Sequence, residues 1–205
     1  MSLSIKIHMN SLGCAKNLVN SEQMLALLRQ AGMEVVEDLA QADVAIVNTC
    51  GFIDAAKQEA IDTILETAQW KQQGQLKALI ATGCLVERYQ DEILQELPEL
   101  DAVCGTGSYT DIVEAVQQAL AGQKRAYLAS SAQAALEGGR QLITKPYSAF
   151  LRIAEGCNNH CSYCIIPSLR GPFRSRTLEH IWQEARQLAA QGAKELLCIA
   201  QDTTR

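Results

Sequence analysis

Three cysteines fall within the run Cys157-Asn158-Asn159-His160-Cys161-Ser162-Tyr163-Cys164. A C-x3-C-x2-C spacing brings three soft thiolates to one point, a donor set that suits an iron–sulfur cluster or zinc. A closed zinc site needs a fourth ligand, for which His160 is the candidate, although neighbouring residues often point apart. On a four-iron cluster three thiolates leave one iron open to bind something else, which is useful for chemistry. Inert buried thiols are the competing explanation, but free cysteines rarely recur at ligand spacing without a ligand.

Three more cysteines, Cys14, Cys50 and Cys84, are far apart in the chain, but each has a glycine beside it: Gly13, Gly51 and Gly83. Glycine permits close backbone approach to a bulky ligand. Each of the three thiols follows an expected strand, so all three fall at the carboxyl edge of a parallel sheet, where such folds place ligands. Spacing alone leaves them open between a second cluster site and the buried cysteines common in α/β cores. Cys104 and Cys198 lie in apolar strand patterns and are expected in the core. Gly105-Thr106-Gly107 is too short a match for a dinucleotide fingerprint and reads as a helix-entry turn.

The elements that must position these thiols follow from hydrophobic periodicity. Ile5, Ile7 and Met9 alternate with polar residues as in a half-buried strand. Met24, Leu25, Leu27, Leu28 and Ala31 recur at helical spacing and end at Gly32. Val44–Val47 and Leu76–Ala81 are continuous apolar runs, as in central parallel strands. Helices are expected from about 54 to 72, 87 to 97 and 110 to 121, and a further strand over 102–104. The pattern is α/β, a doubly wound mostly parallel sheet over residues 1–122. Residues 123–146 lack periodicity and read as a linker. Residues 147–205 form one β-loop-α-β unit: a strand over 149–154, the cysteine loop, a helix from Leu178 and a strand over 196–200. A complete parallel barrel needs about 250 residues, so this unit is expected to be the truncated start of one.

Composition excludes other classes. The chain has 205 residues, 48% hydrophobic and 20% charged, enough for real cores rather than disorder. With 18 Lys+Arg against 23 Asp+Glu the net charge is −5, which disfavours nonspecific nucleic-acid binding by bulk charge. No apolar run is long enough to cross a membrane, and the N-terminus shows no signal-peptide pattern. Eight cysteines without an export signal point to reduced thiols and a cytoplasmic location.

At this point the residues resemble a known family. Gly13-Cys14-Ala15-Lys16-Asn17 with Asn20-Ser21-Glu22, Asn48-Thr49-Cys50-Gly51 and Thr82-Gly83-Cys84-Leu85 are similar to the amino-terminal domain of the radical-SAM methylthiotransferases. Glu155-Gly156-Cys157-Asn158, Cys161, Cys164, Ile165-Ile166-Pro167 and Arg170-Gly171 resemble the opening of their (β/α) radical-SAM barrel. Ala15 and Asn20 stand where that family often has Pro and Asp.

The resemblance implies two [4Fe-4S] clusters. Cys157, Cys161 and Cys164 would hold the one that chelates S-adenosyl-L-methionine and, on reduction, gives a 5′-deoxyadenosyl radical. Cys14, Cys50 and Cys84 would hold an auxiliary cluster, from which a methylated sulfur passes to the substrate. Tyr163 would lie near the adenine, and Gln201 and Asp202 near the cofactor's amino group. The motif contexts resemble the branch that modifies the β-carbon of an aspartyl residue in a small-subunit ribosomal protein. The branch acting on tRNA adenosine is the alternative, with an iron–sulfur binding module or inactive fragment as the third. An electron-donor protein is an implied partner. Arg170, Arg174 and Arg176 read either as contacts to a substrate or cofactor carboxylate or as a solvated basic turn.

Overall fold

The structure, a computed structural model, describes residues 4–145 and 147–205. The first three residues of the expected first domain, and Pro146 at the end of the expected linker, lie outside them. The chain runs β1 (Lys6–Ser11), α1 (Ala15–Gln30), β2 (Glu34–Val35), β3 (Val44–Thr49), α2 (Asp54–Gln72), β4 (Ala78–Gly83), α3 (Cys84–Tyr89), α4 (Glu92–Glu96), β5 (Ala102–Cys104), α5 (Ile112–Leu120) and β6 (Arg125–Tyr127). There follow β7 (Ser148–Arg152), β8 (Ala154–Glu155), α6 (Ile166–Arg170), β9 (Arg174–Ser175), α7 (Leu178–Ala190) and β10 (Glu195–Ile199).

The first six strands form one sheet in the order β2-β1-β3-β4-β5-β6, with parallel pairings throughout. From β1 the chain winds one way to β2 and the other way to β3, so a switch point lies between β1 and β3, and a crevice opens at their carboxyl ends. The continuous apolar runs put a side chain into each face. Val44 and Ile46 pack with Met24, Leu25 and Leu28 of α1 and Ile112 and Val116 of α5. Ala45 and Val47 pack with Ala60 and Ile64 of α2 and Leu85 of α3. The doubly wound α/β expectation is met.

Several elements differ from expectation for identifiable reasons. The helix expected over 87–97 is two, α3 and α4, broken at Gln90, whose φ is +47°. The first of them also starts earlier than expected, so that Cys84 is the first residue of a helix. Strand β6 lies within the segment read as a linker and extends the sheet to Tyr127; three residues are too few to show a period. The strand expected over 149–154 divides at Ile153, because β7 pairs parallel with β10 while β8 pairs antiparallel with β9. Cys198, expected in the core, is exposed. Among the described residues β10 pairs with β7 alone, and only Leu196 and Ile199 of it are even partly covered, so the face that Cys198 shares with Leu196 is open at Cys198. Leu178 and Trp182 of α7 are likewise exposed.

Helix α1 is buried on two sides. Its apolar side meets the sheet, and its polar side, Asn17, Asn20, Ser21, Glu22 and Gln23, is buried as well. Arginines from later in the chain cover that polar side. Arg140 pairs with Glu22 and, at 2.6 Å, with Glu184 of α7. Arg152 of β7 donates to Asn20 Oδ1 at 2.6 Å and Gln23 Oε1 at 2.9 Å. Arg176 joins Glu137 to Glu184 and donates to the Arg152 carbonyl at 2.7 Å. The side chains of Glu22 and Arg140 are 0% and 3% exposed, so breaking this pair strands a charge in a dry interface. Arg140→Met is expected to lower unfolding free energy by about 3–5 kcal/mol in urea titrations, while Glu22→Leu/Arg140→Met recovers most of that loss. A single variant as stable as the parent would show that the pair carries no such weight.

Candidate metal centre

Cys14, Cys50 and Cys84 come together at the carboxyl edge of the sheet. Cys14 follows β1 and is the N-cap residue of α1; Cys50 follows β3; Cys84 follows β4. Cys14 and Cys50 therefore flank the switch point, and Cys84 sits one strand further on. The loops interlock through their glycines. A Cβ on Gly13 would stand 2.7 Å from Cys50 Cβ and 3.2 Å from its Sγ. A Cβ on Gly51 would stand 2.7 Å from the Cys84 carbonyl oxygen. Gly83, at φ +95°, turns the chain from β4 directly into α3. Exposure is graded: Cys14 is exposed, Cys50 half-buried and Cys84 buried. All eight cysteines are free thiols. Burial pushes the Cys84 thiol pKa up, aided by Cys14 and Cys50, while Arg170 pulls against it.

A second set of thiols lies on the loop after β8. Gly156, at φ +78°, lets this loop pack against the Gly171 and Pro172 carbonyls, and Cys157 N donates to the Gly171 carbonyl at 3.1 Å. Cys164 N donates to the Cys161 carbonyl at 3.0 Å, and His160 takes φ +48°, so the run curls on itself. Cys157 and Cys164 are half-buried and Cys161 exposed. Among the described residues no group of three or more His, Cys, Asp or Glu side chains has the arrangement of a single-ion site.

Of the residues expected near a cofactor, Gln201 is the best placed. Its Nε2 donates to Glu155 Oε1 at 2.8 Å, and its buried Oε1 has no hydrogen-bond partner. Glu155 precedes Cys157 by two residues and is buried. Burial raises its pKa, but Arg170 and Arg152, with the Gln201 and Gly156 donors, outweigh it and hold the carboxyl below the usual range. Asp202 accepts from Thr204 N at 3.1 Å and Thr204 Oγ1 at 2.9 Å, bonds that lower its pKa. Tyr163 is 90% exposed. Cys104 is buried in the core, as expected, and burial pushes its pKa far up.

The three arginines are not a solvated basic turn. Arg170 and Arg176 are buried, and Arg174 donates to the Ala134 and Ser131 carbonyls at 2.6 and 2.9 Å. The carboxylates met by Arg170 and Arg176 are this chain's own Glu155, Glu137 and Glu184. Sequence reasoning missed Asn17 and Glu155 as their partners. Both stand inside the quoted motifs, but nothing local shows that they face one arginine.

The donor chemistry and the cradle both fit iron–sulfur clusters. The thiols are free, glycines make room beside them, and Gln201 Oε1 is an unpaired acceptor close to the Cys157 loop. Gly51→Ala is expected to cost about 1–3 kcal/mol, because its methyl meets fixed backbone of α3. Denaturation midpoints test this, and an unchanged midpoint would mean that the loops are looser than their contacts indicate.

Comparison with known proteins finds relatives for both parts of the chain. Residues 6–105 match the family described as Uncharacterized protein family UPF0004, and residues 151–204 match the Radical SAM superfamily. The chain is 50% identical over 206 residues to a protein of Pelotomaculum thermopropionicum named "Ribosomal protein uS12 methylthiotransferase RimO", covering 99% of this chain and 46% of the relative. Proteins of the same name in Clostridioides difficile and Clostridium botulinum are 49% and 51% identical over 202 residues, with 98% of this chain and 46% and 45% of the relatives covered. The chain thus spans a little under half the length of the curated relatives it matches. Two domain types in this order, with about half of all residues shared with such relatives, mean that the chain belongs to the radical-SAM methylthiotransferase family.

Proposed function

We propose that this chain forms the cluster-binding part of an enzyme that adds a methylthio group to the β-carbon of an aspartyl residue in ribosomal protein uS12. The observation that carries this is the close association of two cysteine sets, one at the sheet's carboxyl edge and one on the loop after β8, joined through Arg170, Asn17 and Glu155. The relatives named above supply the substrate.

Cys157, Cys161 and Cys164 would hold one [4Fe-4S] cluster, and Cys14, Cys50 and Cys84 a second. When bound, the first supplies reductive cleavage of S-adenosyl-L-methionine at its open iron, and the second supplies the site at which sulfur is presented for transfer. The chain's own residues bind and orient. Gln201, oriented by Glu155, would accept from the amino group of S-adenosyl-L-methionine, with Asp202 and Tyr163 at the edge of the same site. Metal binding releases the thiol protons, so loading is favoured as pH rises towards the thiol range. An electron-donor protein would supply the reducing electron. We place residues 1–122, with β6, in the first domain and 147–205 in the second. Among the described residues no helix is long and apolar enough to cross a membrane, and we place the protein in the cytoplasm.

Anaerobic reconstitution with iron and sulfide tests the assignment. Two clusters of four irons are expected in the parent chain, and one in each of Cys14→Ala/Cys50→Ala/Cys84→Ala and Cys157→Ala/Cys161→Ala/Cys164→Ala. Unchanged iron in the first variant would remove the auxiliary cluster from this reading. Stoichiometric zinc in anaerobically purified protein would replace it with a structural site. With the full-length protein, methylthiolation of uS12 and not of tRNA is expected by mass spectrometry; the opposite result would move the enzyme to the tRNA branch.

A further inference from the structure

Arg170 belongs to the second unit by sequence and to the first by contact. It is the last residue of α6, six residues beyond Cys164, yet its side chain is 3% exposed. α6 lies beside α3, the helix that begins at Cys84. The guanidinium donates through Nη2 to Asn17 Oδ1, the same oxygen that the Cys84 thiol faces, and stands with Nη1 3.6 Å from Glu155 Oε2.

Asn17 makes this position matter. Its Nδ2 donates to the Thr49 carbonyl at 2.7 Å, one residue before Cys50, and to the Leu12 carbonyl at 3.2 Å, two residues before Cys14. The Cys84 Sγ stands 3.7 Å from its Oδ1. One buried amide therefore touches all three cysteine segments, and Arg170 fixes the oxygen end of that amide. A planar guanidinium can address an amide oxygen, a carboxylate and a sulfur together, whereas an ammonium is a point charge with a different donor geometry. When a cluster takes the thiols, Cys84 becomes a thiolate and a hydrogen-bond acceptor. Donors to cluster sulfur and nearby positive charge stabilise the reduced, more negative state.

We propose that Arg170 is a positioning residue for the Cys14/Cys50/Cys84 centre, supplied by the second unit: it holds Asn17 and Cys84 in place and raises the reduction potential of the cluster bound there. This rests on the assignment of a cluster to those three cysteines. Its consequence is that the sulfur-presenting centre reaches its working potential only when the Cys157-bearing unit is docked on the sheet.

The test uses the whole 205-residue chain with Cys157→Ala/Cys161→Ala/Cys164→Ala, so that the remaining cluster iron belongs to the sheet-edge centre. Arg170→Met and Arg170→Lys are added separately. Iron content, circular dichroism and an EPR-monitored redox titration are then measured after anaerobic reconstitution. Arg170→Met is expected to keep its fold and most of its iron, with the midpoint potential shifted to more negative values and an altered EPR line shape. Arg170→Lys, which keeps the charge, is expected to fall between Arg170→Met and the parent. An unmoved potential in Arg170→Met would overturn the proposal alone. Equal loss of folding and iron in both Arg170 variants would also overturn it, marking Arg170 as a structural cation. No iron in the parent of this series would overturn the cluster assignment and this proposal together.

Discussion

The polar side of α1 is the surface on which the two parts of this chain meet, and its burial governs the rest. A helix against a sheet normally buries one apolar stripe and leaves its other side to water. Here the second side carries Asn17, Asn20, Glu22 and Gln23, each enclosed by groups from residues 136–184. Enclosing charges costs desolvation, and that cost is offset only while every partner is present. The contact is therefore specific in register: Arg140 must find Glu22, Arg152 must find Asn20 and Gln23, and Arg170 must find Asn17. A sliding or partial docking would leave guanidinium groups buried and unpaired.

The same constraint brings the two thiol sets near one another. The sheet alone gathers Cys14, Cys50 and Cys84, because β1, β3 and β4 are neighbours and parallel, so their carboxyl ends share an edge. The loop after β8 is held by Gly156 packed under Gly171 and Pro172, and Arg170 immediately precedes Gly171. Docking through Arg152 and Arg170 sets that loop beside the sheet edge, and Glu155 is bonded both to Arg152 and to Gln201. The groups proposed to bind a cofactor and those that support the sheet-edge thiols thus belong to one hydrogen-bonded chain of side chains.

Much of the fold was legible in the sequence where the signal is long and periodic. The continuous run Val44–Val47 marked a strand buried on both faces, and α2 begins and ends as its pattern indicates. Short elements were not legible: β6 has three residues, and the break at Gln90 depends on a backbone conformation that no local apolar pattern encodes. Cys198 shows the opposite failure. Its apolar neighbours read as core, but burial of a strand depends on what lies over it, and β10 has a single paired neighbour among the described residues. α1 was half legible, since its leucines announce the sheet face while its polar face gives no sign of being covered.

The sequence by itself determined the candidate donor set: three cysteines within one short loop, three more beside glycines at strand ends, and the strand–helix alternation that makes those ends share an edge. These are matters of covalent spacing and local hydrophobic period, and they survive without knowledge of the partner surface. Only the tertiary structure decided where the arginines go. Arg170 and Arg176 are read from sequence either as contacts to a ligand carboxylate or as a solvated basic turn, and in the folded chain their charges are met by Glu155, Glu137 and Glu184 and their donors by Asn17 and the Arg152 carbonyl. An arginine's role is set by which carboxylate or amide lies within reach after long-range docking, and these partners are up to 153 residues away along the chain.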